Sequence, residues 1–264
     1  MIGACDRAVL VAVGDFARLV TSVGRLSEDE RLPALDRLVA DVESLFDGRQ
    51  SSHAVVARLA PMVGDGRLER CPFDDLIAAA RIEPRATRYR TFGDLLDYLA
   101  LSANPVGRLM LQAMALDTTD RRRLSDSVCS GLRLVSHIRR IGPDYAEGRV
   151  FVPLDDLARF DCSEADLGAE QASTLVRRVV ALEVERARGL LAAGDELVAR
   201  VPGRTRVALA GAVGRGRGTL AAVERARHDV LAGRARPRRS VVMASAAGAL
   251  AAARRPVLPD GPVR

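Results

Sequence analysis

An all-α fold in a single domain is the architecture this sequence predicts, and three observations predict it. Apolar residues recur at steps of three and four along most of the chain. Strand-like alternation is confined to "RVFVP" at 149–153. Hydrophobic residues make up 48% of the 264 positions and aromatics 3%, so the core must be built from Leu, Val and Ala. Chains rich in Leu and Ala with few aromatics favour helix over sheet. The length allows one large domain or two small ones.

The helices follow in order. The first spans 6–23. In "LSEDERLPALDRLVADVESLFDG", Ser27 and Glu30 have the spacing of a capping box and Pro33 falls in an early turn. Leu35, Leu38, Val42 and Leu45 form its apolar stripe, and Gly48 is placed to close it. Further helices are expected over 53–63, 73–81, 91–101, 105–116 and 124–141. "ASTLVRRVVALEVERARGLLAAG" carries Leu175, Val179 and Leu182 on one face, with Gly194 as its stop. The last three are expected over 204–213, 217–233 and 240–253. The Arg- and Pro-rich stretch near 234–240 reads as a mobile segment and 254–264 as a flexible tail.

Composition narrows the function. All 40 basic residues are arginine and the net charge is +6, which suits anionic partners such as diphosphates or acidic lipid surfaces. Codon usage can produce an all-arginine complement, so no arginine is singled out on number alone. Nucleic acid is excluded as a partner: there is no Trp, few rings could stack on bases, and no zinc-finger or RNA-binding signature occurs. Cys5, Cys71, Cys129 and Cys162 form no CxxC pair, which argues for a reducing compartment. With no signal peptide and no apolar run of 18 residues, the expected location is cytoplasmic, with peripheral membrane contact allowed.

One constellation carries chemistry. Arg133, Ser136, Arg140 and Asp144 follow at steps of three, four and four, so they share a helix face, while Leu132, Val135, Ile138 and Ile141 beside them are apolar. A polar row on a largely buried helix faces a cavity or a partner charge. "LRLVSHIRRIGPDYAEGRVFVPLDDLARF" resembles the second aspartate-rich motif of the squalene/phytoene synthase family. "YLALSANPVGRLML" at 98–111 is similar to the squalene-synthase-like bacterial branch that works in hopanoid biosynthesis, and "RYRTFGDLLDY" and "GTLAAVERARHDVLAGRARP" also fit. The resemblance covers about residues 8–240.

The resemblance implies one isoprenoid-synthase domain over 1–264, its N-terminal helix truncated, enclosing a central cavity. It implies a head-to-head prenyltransferase in which two aspartate-rich motifs hold Mg²⁺ against a departing diphosphate; carboxylates four apart on a helix suit that hard cation. This sequence departs from the pattern. The Gln position is Arg133, the Asn position Ser136 and the first Asp Arg140, leaving Asp144; in the first motif, aligned to "GDFAR", Gly14 and Arg18 flank the surviving Asp15. The expectation is therefore a synthase-like protein of impaired or lost activity, with Mg²⁺ doubtful and Asp15 and Asp144 as remnant metal ligands. Arg18, Arg140, Arg149 and Asn104 are the substrate-binding candidates, and Tyr98 and Ser102 the cavity candidates. Arg149 either binds diphosphate or pairs with Asp144 or Glu147. The expected partners are a prenyl diphosphate or isoprenoid lipid and an active paralogous synthase subunit. The alternative is an active farnesyl or geranylgeranyl diphosphate condensing enzyme with an atypical metal site.

Overall fold

A computed structural model describes residues 4–82, 87–233 and 237–252, with side chains described from residue 10 onward. The tail at 254–264 and part of the segment near 234–240 thus lie outside the described residues. The fold is all-α, and no strand occurs among the described residues. The N-terminal half comprises α1 (Ala4–Val23), α2 (Glu28–Phe46), the short α3 (Ala54–Ala57) and α4 (Ala60–Gly64), α5 (Cys71–Arg81), α6 (Phe92–Ser102) and α7 (Asn104–Ala113). The C-terminal half comprises α8 (Thr119–Arg139), α9 (Ile141–Ala146), α10 (Leu154–Arg159), a 3₁₀ turn at Glu164–Gly168, α11 (Thr174–Arg200), α12 (Gly203–Arg225) and α13 (Arg239–Ala252).

Two large apolar clusters form, with a small third at Val198, Ala210 and Ala249. One joins α1 and α2 to α5 and α7 through Phe16, Val20, Leu38, Phe73, Ile77 and Leu109. The other joins α6, α8, α11 and α12 through Leu99, Leu134, Ile138, Val184, Leu191 and Val213. Burying a Leu or Val side chain is worth about 1.5–3 kcal/mol, so these aliphatic layers supply the driving force that scarce aromatics do not. α7 and α8 tie the clusters together. Asn104 is buried, and its Oδ1 accepts a 2.8 Å hydrogen bond from Ser130 Oγ. Arg108 grips Asp126 with two bonds of 3.1 and 2.8 Å.

Local expectations met several corrections. Gly48 closes α2 in the left-handed region, at φ 72°. The capping box is incomplete: Ser27 Oγ donates to Glu30 Oε2 at 2.8 Å and caps no backbone N–H. The helix expected at 53–63 is two short ones, and "RVFVP" forms no strand. α8 starts five residues earlier than expected and breaks at Arg140, ahead of Pro143. Gly194 does not stop α11, and the two helices expected at 204–213 and 217–233 are one, α12, which runs unbroken through the "VGRGRG" stretch at 213–218 and ends at Arg225. Those glycines are where helices touch. A Cβ on Gly194 would stand 2.8 Å from Val213, one on Gly216 2.8 Å from Leu132, and one on Gly214 2.8 Å from the backbone N of Ala246.

This assignment separates two kinds of helical glycine. Gly214→Ala pushes against α13 backbone and should cost about 1–3 kcal/mol, the usual range for overpacking. Gly189→Ala on the exposed side of α11 meets nothing within 4 Å and should stabilise by about 0.5–1 kcal/mol. Urea denaturation of the two variants checks the contrast in sign.

A buried charge cluster braces α10 against α11. Arg186 donates to Asp156 Oδ1 at 2.9 Å and Glu183 Oε1 at 2.6 Å, and lies 4.3 Å from the centroid of the Phe92 ring. Burial, with Asp156 nearby and only partly offset by Arg186, raises Glu183 from 4.5 to about 7. The folded state therefore favours the protonated acid. Its stabilising contribution is full below pH 4.5 and is lost as the pH rises through about 7. Glu183→Gln removes this titration. Its unfolding free energy, read from urea denaturation, should fall less between pH 4.5 and 7 than that of the parent, by up to about 3 kcal/mol at 1.36 kcal/mol per pKa unit.

Candidate functional site

Between the two apolar clusters lies a cavity of about 120 Å³ that shares a wall with a wider one of about 710 Å³. Thr21 and Arg25 of the α1 end, Leu76 of α5, Ser102 of α6, and Arg133 and Ser136 of α8 line both. The inner cavity is closed by Arg31 of α2, Tyr98, His137, Arg140, Asp144, Arg149 and Phe151.

Backbone geometry assembles its charged end. α8 ends at Arg139 with Arg140 as its cap, and Asp144 N donates to the Arg140 carbonyl at 2.6 Å, starting the short turn of α9. Gly148 then takes a left-handed conformation at φ 78°, and Arg149 N returns to the Asp144 carbonyl at 2.8 Å. That helix-terminating turn, which glycine adopts without strain, carries Arg149 back over Asp144. Arg149 donates to Asp144 Oδ1 at 2.7 Å and Arg140 to the same oxygen at 3.2 Å. Glu147 is the second partner of both guanidiniums, pairing with Arg140 at 3.2 Å and with Arg149. Arg149 lines the cavity while paired with Asp144 and Glu147.

Asp144 is 4% exposed. Burial works against its carboxylate, and the polar contacts of His137 and Arg149 more than offset it, holding the pKa below the ordinary value. His137 stacks on Phe151 with 3.8 Å between ring centroids, and its Nδ1 stands 3.9 Å from Asp144 Oδ2. Burial lowers its pKa to about 4, so the imidazole is neutral at physiological pH. Tyr98, on the cavity wall, packs in a three-ring cluster with Tyr89 and Phe151.

The remaining candidates are dispersed. Asp15 lines neither cavity; Arg18 and Arg58 clasp it, Arg58 at 2.6 Å, and their hydrogen bonds hold its pKa below the ordinary value. Arg18 lines the wider cavity with a side chain 72% exposed. Asn104 lines neither cavity and is spent on the α7–α8 clasp. Sequence reasoning missed Arg25, Arg31 and Arg58. Nothing in the local pattern marks them, because each meets the site through a turn or a contact distant in sequence.

The residues present do not suit Mg²⁺. That cation takes oxygen ligands in near-octahedral order, usually one or two carboxylates that are free to bind it. Here each surviving aspartate is clasped by two guanidiniums, and Arg140 stands four residues before Asp144, where a second carboxylate would have to be. Among the described residues, no group of three His, Cys, Asp or Glu side chains converges to hold a metal. The two clasped aspartates should respond differently to neutralisation. Asp144→Asn strands buried Arg149 with only half of its compensation and should cost about 3 kcal/mol, while Asp15→Asn should leave the melting temperature near that of the parent. Paired thermal melts check this.

Comparison with known proteins agrees with this architecture. The family model for squalene/phytoene synthase matches residues 7–241. The hydroxysqualene synthase of Sinorhizobium fredii is 31% identical over 199 residues, covering 74% of this chain and 66% of that protein. The phytoene synthase of Arthrospira platensis is 30% identical, covering 67% and 61%. The chain thus spans a little under two thirds of these relatives. Among solved structures, squalene synthase HpnC from Alicyclobacillus acidocaldarius is 35% identical with a TM-score of 0.77, covering 82% of each chain. A dehydrosqualene synthase in complex with ligand superposes with a TM-score of 0.82 at 20% identity, which speaks for the fold alone. The helical order, the cavity between the clusters and these matches together make the chain a member of the squalene/phytoene synthase family of isoprenoid biosynthesis.

Proposed function

We propose that this protein is a synthase-like member of the family whose head-to-head condensing activity is lost or greatly weakened, and that it holds a prenyl diphosphate or isoprenoid lipid beside an active synthase. The observation that carries the reading is the clasping of both surviving aspartates by arginine, with Arg18 and Arg58 on Asp15 and Arg140 and Arg149 on Asp144. Condensation begins with loss of diphosphate from an allylic carbon, and the developing charges need metal or equivalent cationic help at the leaving group. Guanidiniums already engaged by carboxylates supply less of that help, and the carboxylates they engage hold a metal less strongly. Similarity to hydroxysqualene synthases and to a squalene synthase favours the hopanoid branch as its setting. The cytoplasm, with peripheral membrane contact, is the compartment this reading implies; no helix among the described residues is long and apolar enough to cross a membrane.

The 35% identity to a squalene synthase favours one alternative, an active condensing enzyme in which Asp15, Asp144 and Glu147 hold fewer Mg²⁺ ions. Incubation of the purified protein with farnesyl diphosphate, Mg²⁺ and NADPH, followed by product analysis, separates the two. No condensed hydrocarbon or alcohol should form above background. Sustained turnover would overturn the reading and establish the alternative.

A further inference from the structure

The cavity wall is cationic beyond what its own carboxylates neutralise. Arg25, Arg133, Arg140 and Arg149 line the inner cavity against the single lining carboxylate of Asp144; Arg31, also on the wall, has a partner of its own. Arg140 and Arg149 are paired internally. Arg133 is not: it makes no hydrogen bond or ion pair within the described residues, and its Nε is buried without a partner. Two more polar atoms of the same wall, Ser102 Oγ and His137 Nε2, are also buried without a partner. An unpaired buried polar atom costs about 1–3 kcal/mol, and more when it is charged. Three such atoms around one cavity are not explained by packing, since each is left with an uncompensated loss of water. Arg133 Nε and Ser102 Oγ are donors, and a ligand that accepts from them accounts for both; Nε2 of the neutral His137, whose Nδ1 faces Asp144, is an acceptor and takes no part.

That ligand must be an anion with several acceptor oxygens. A guanidinium presents donors in a planar fork matched to carboxylate and phosphate oxygens. About 120 Å³, at 10–15 Å³ for each water-sized sphere, leaves room for a diphosphate group rather than a single water. Leu76, Val106 and Leu132 line the wider cavity beyond it, where an attached apolar chain would lie.

We propose that the cavity binds a diphosphate group directly through Arg133, supported by Arg25 and Ser102, so that guanidinium takes the place of metal and Mg²⁺ opposes binding instead of assisting it. This deepens the proposed function and rests on it for the class of ligand. The sign of the metal effect is the distinctive consequence. In a carboxylate-lined site Mg²⁺ bridges protein and diphosphate; in an arginine-lined site it competes with the protein for the same oxygens.

The test is calorimetric titration of the full chain with inorganic pyrophosphate, with unreactive farnesyl S-thiolodiphosphate and with farnesol, each in EDTA and in millimolar Mg²⁺. Both diphosphates should bind in EDTA, and Mg²⁺ should weaken them severalfold. Farnesol should bind with no dependence on metal or on Arg133. Arg133→Gln should weaken both diphosphates about tenfold or more. Arg25→Gln, at an exposed position, should weaken them a few-fold and serves as the probe should Arg133→Gln fail to fold. Diphosphate binding that requires Mg²⁺, binding of the farnesyl compound without pyrophosphate, or unchanged affinity in the folded arginine variants would each overturn the proposal. Magnesium-dependent binding without turnover would overturn this inference alone, whereas turnover of farnesyl diphosphate would overturn the reading of impaired catalysis.

Discussion

Close approach of helices through residues without side chains is the constraint on which this structure depends. A core with few aromatic rings has to gain its contact density by bringing backbones together, because Leu, Val and Ala cannot span wide gaps between helices. α8 shows the consequence. Gly107 of α7 meets it at Ser125 and Cys129, Gly131 of α8 receives Leu190 and Leu191 of α11, and Gly216 of α12 receives Leu132. Held on these sides, α8 has little freedom to rotate or slide. Its polar row is thereby presented to the cavity in a fixed register.

The cavity itself is a seam. One wall comes from the cluster built by the first helices and the other from the cluster built around α8 and α11. The Asn104–Ser130 clasp and the Arg108–Asp126 fork hold the walls at a set distance from outside the cavity, so the groups facing it remain available. Asn104 therefore bears on the site through spacing, whatever its expected part in recognition. The charged end is built by different means. A helix break before Pro143 and a left-handed Gly148 fold the chain back on itself, so that Arg140, Asp144, Glu147 and Arg149 become neighbours within a single turn.

Much of this was legible in the sequence, and the parts that were not share a cause. Period-three-and-four spacing marked nearly every long helix, since the apolar stripe that the sequence displays is the same one the core buries. The row Arg133, Ser136, Arg140 and Asp144 was readable for the same reason, being local. The glycines misled: Gly194 and the run "VGRGRG" look like breaks because glycine weakens an isolated helix. Their use is decided by partners such as Val213, Leu132 and Ala246, which no local window contains. Arg58 was illegible in the same way, reaching Asp15 across 43 positions of chain. Arg25 and Arg31 flank the turn between α1 and α2, and nothing in their spacing says that the turn overhangs a cavity.

The clasp around Asp144 also limits how the sequence can change through descent. Arg140 and Arg149 share one carboxylate, and Glu147 pairs with both, so each member of the group is fitted to two others. Exchange of Asp144 or Arg149 alone removes a main partner from the other, and both side chains are buried. A lineage moving towards a carboxylate-rich arrangement would have to replace arginine and rebuild its partners nearly together. The landscape around this turn is therefore strongly epistatic. Substitutions that would be acceptable as a set are penalised as single steps.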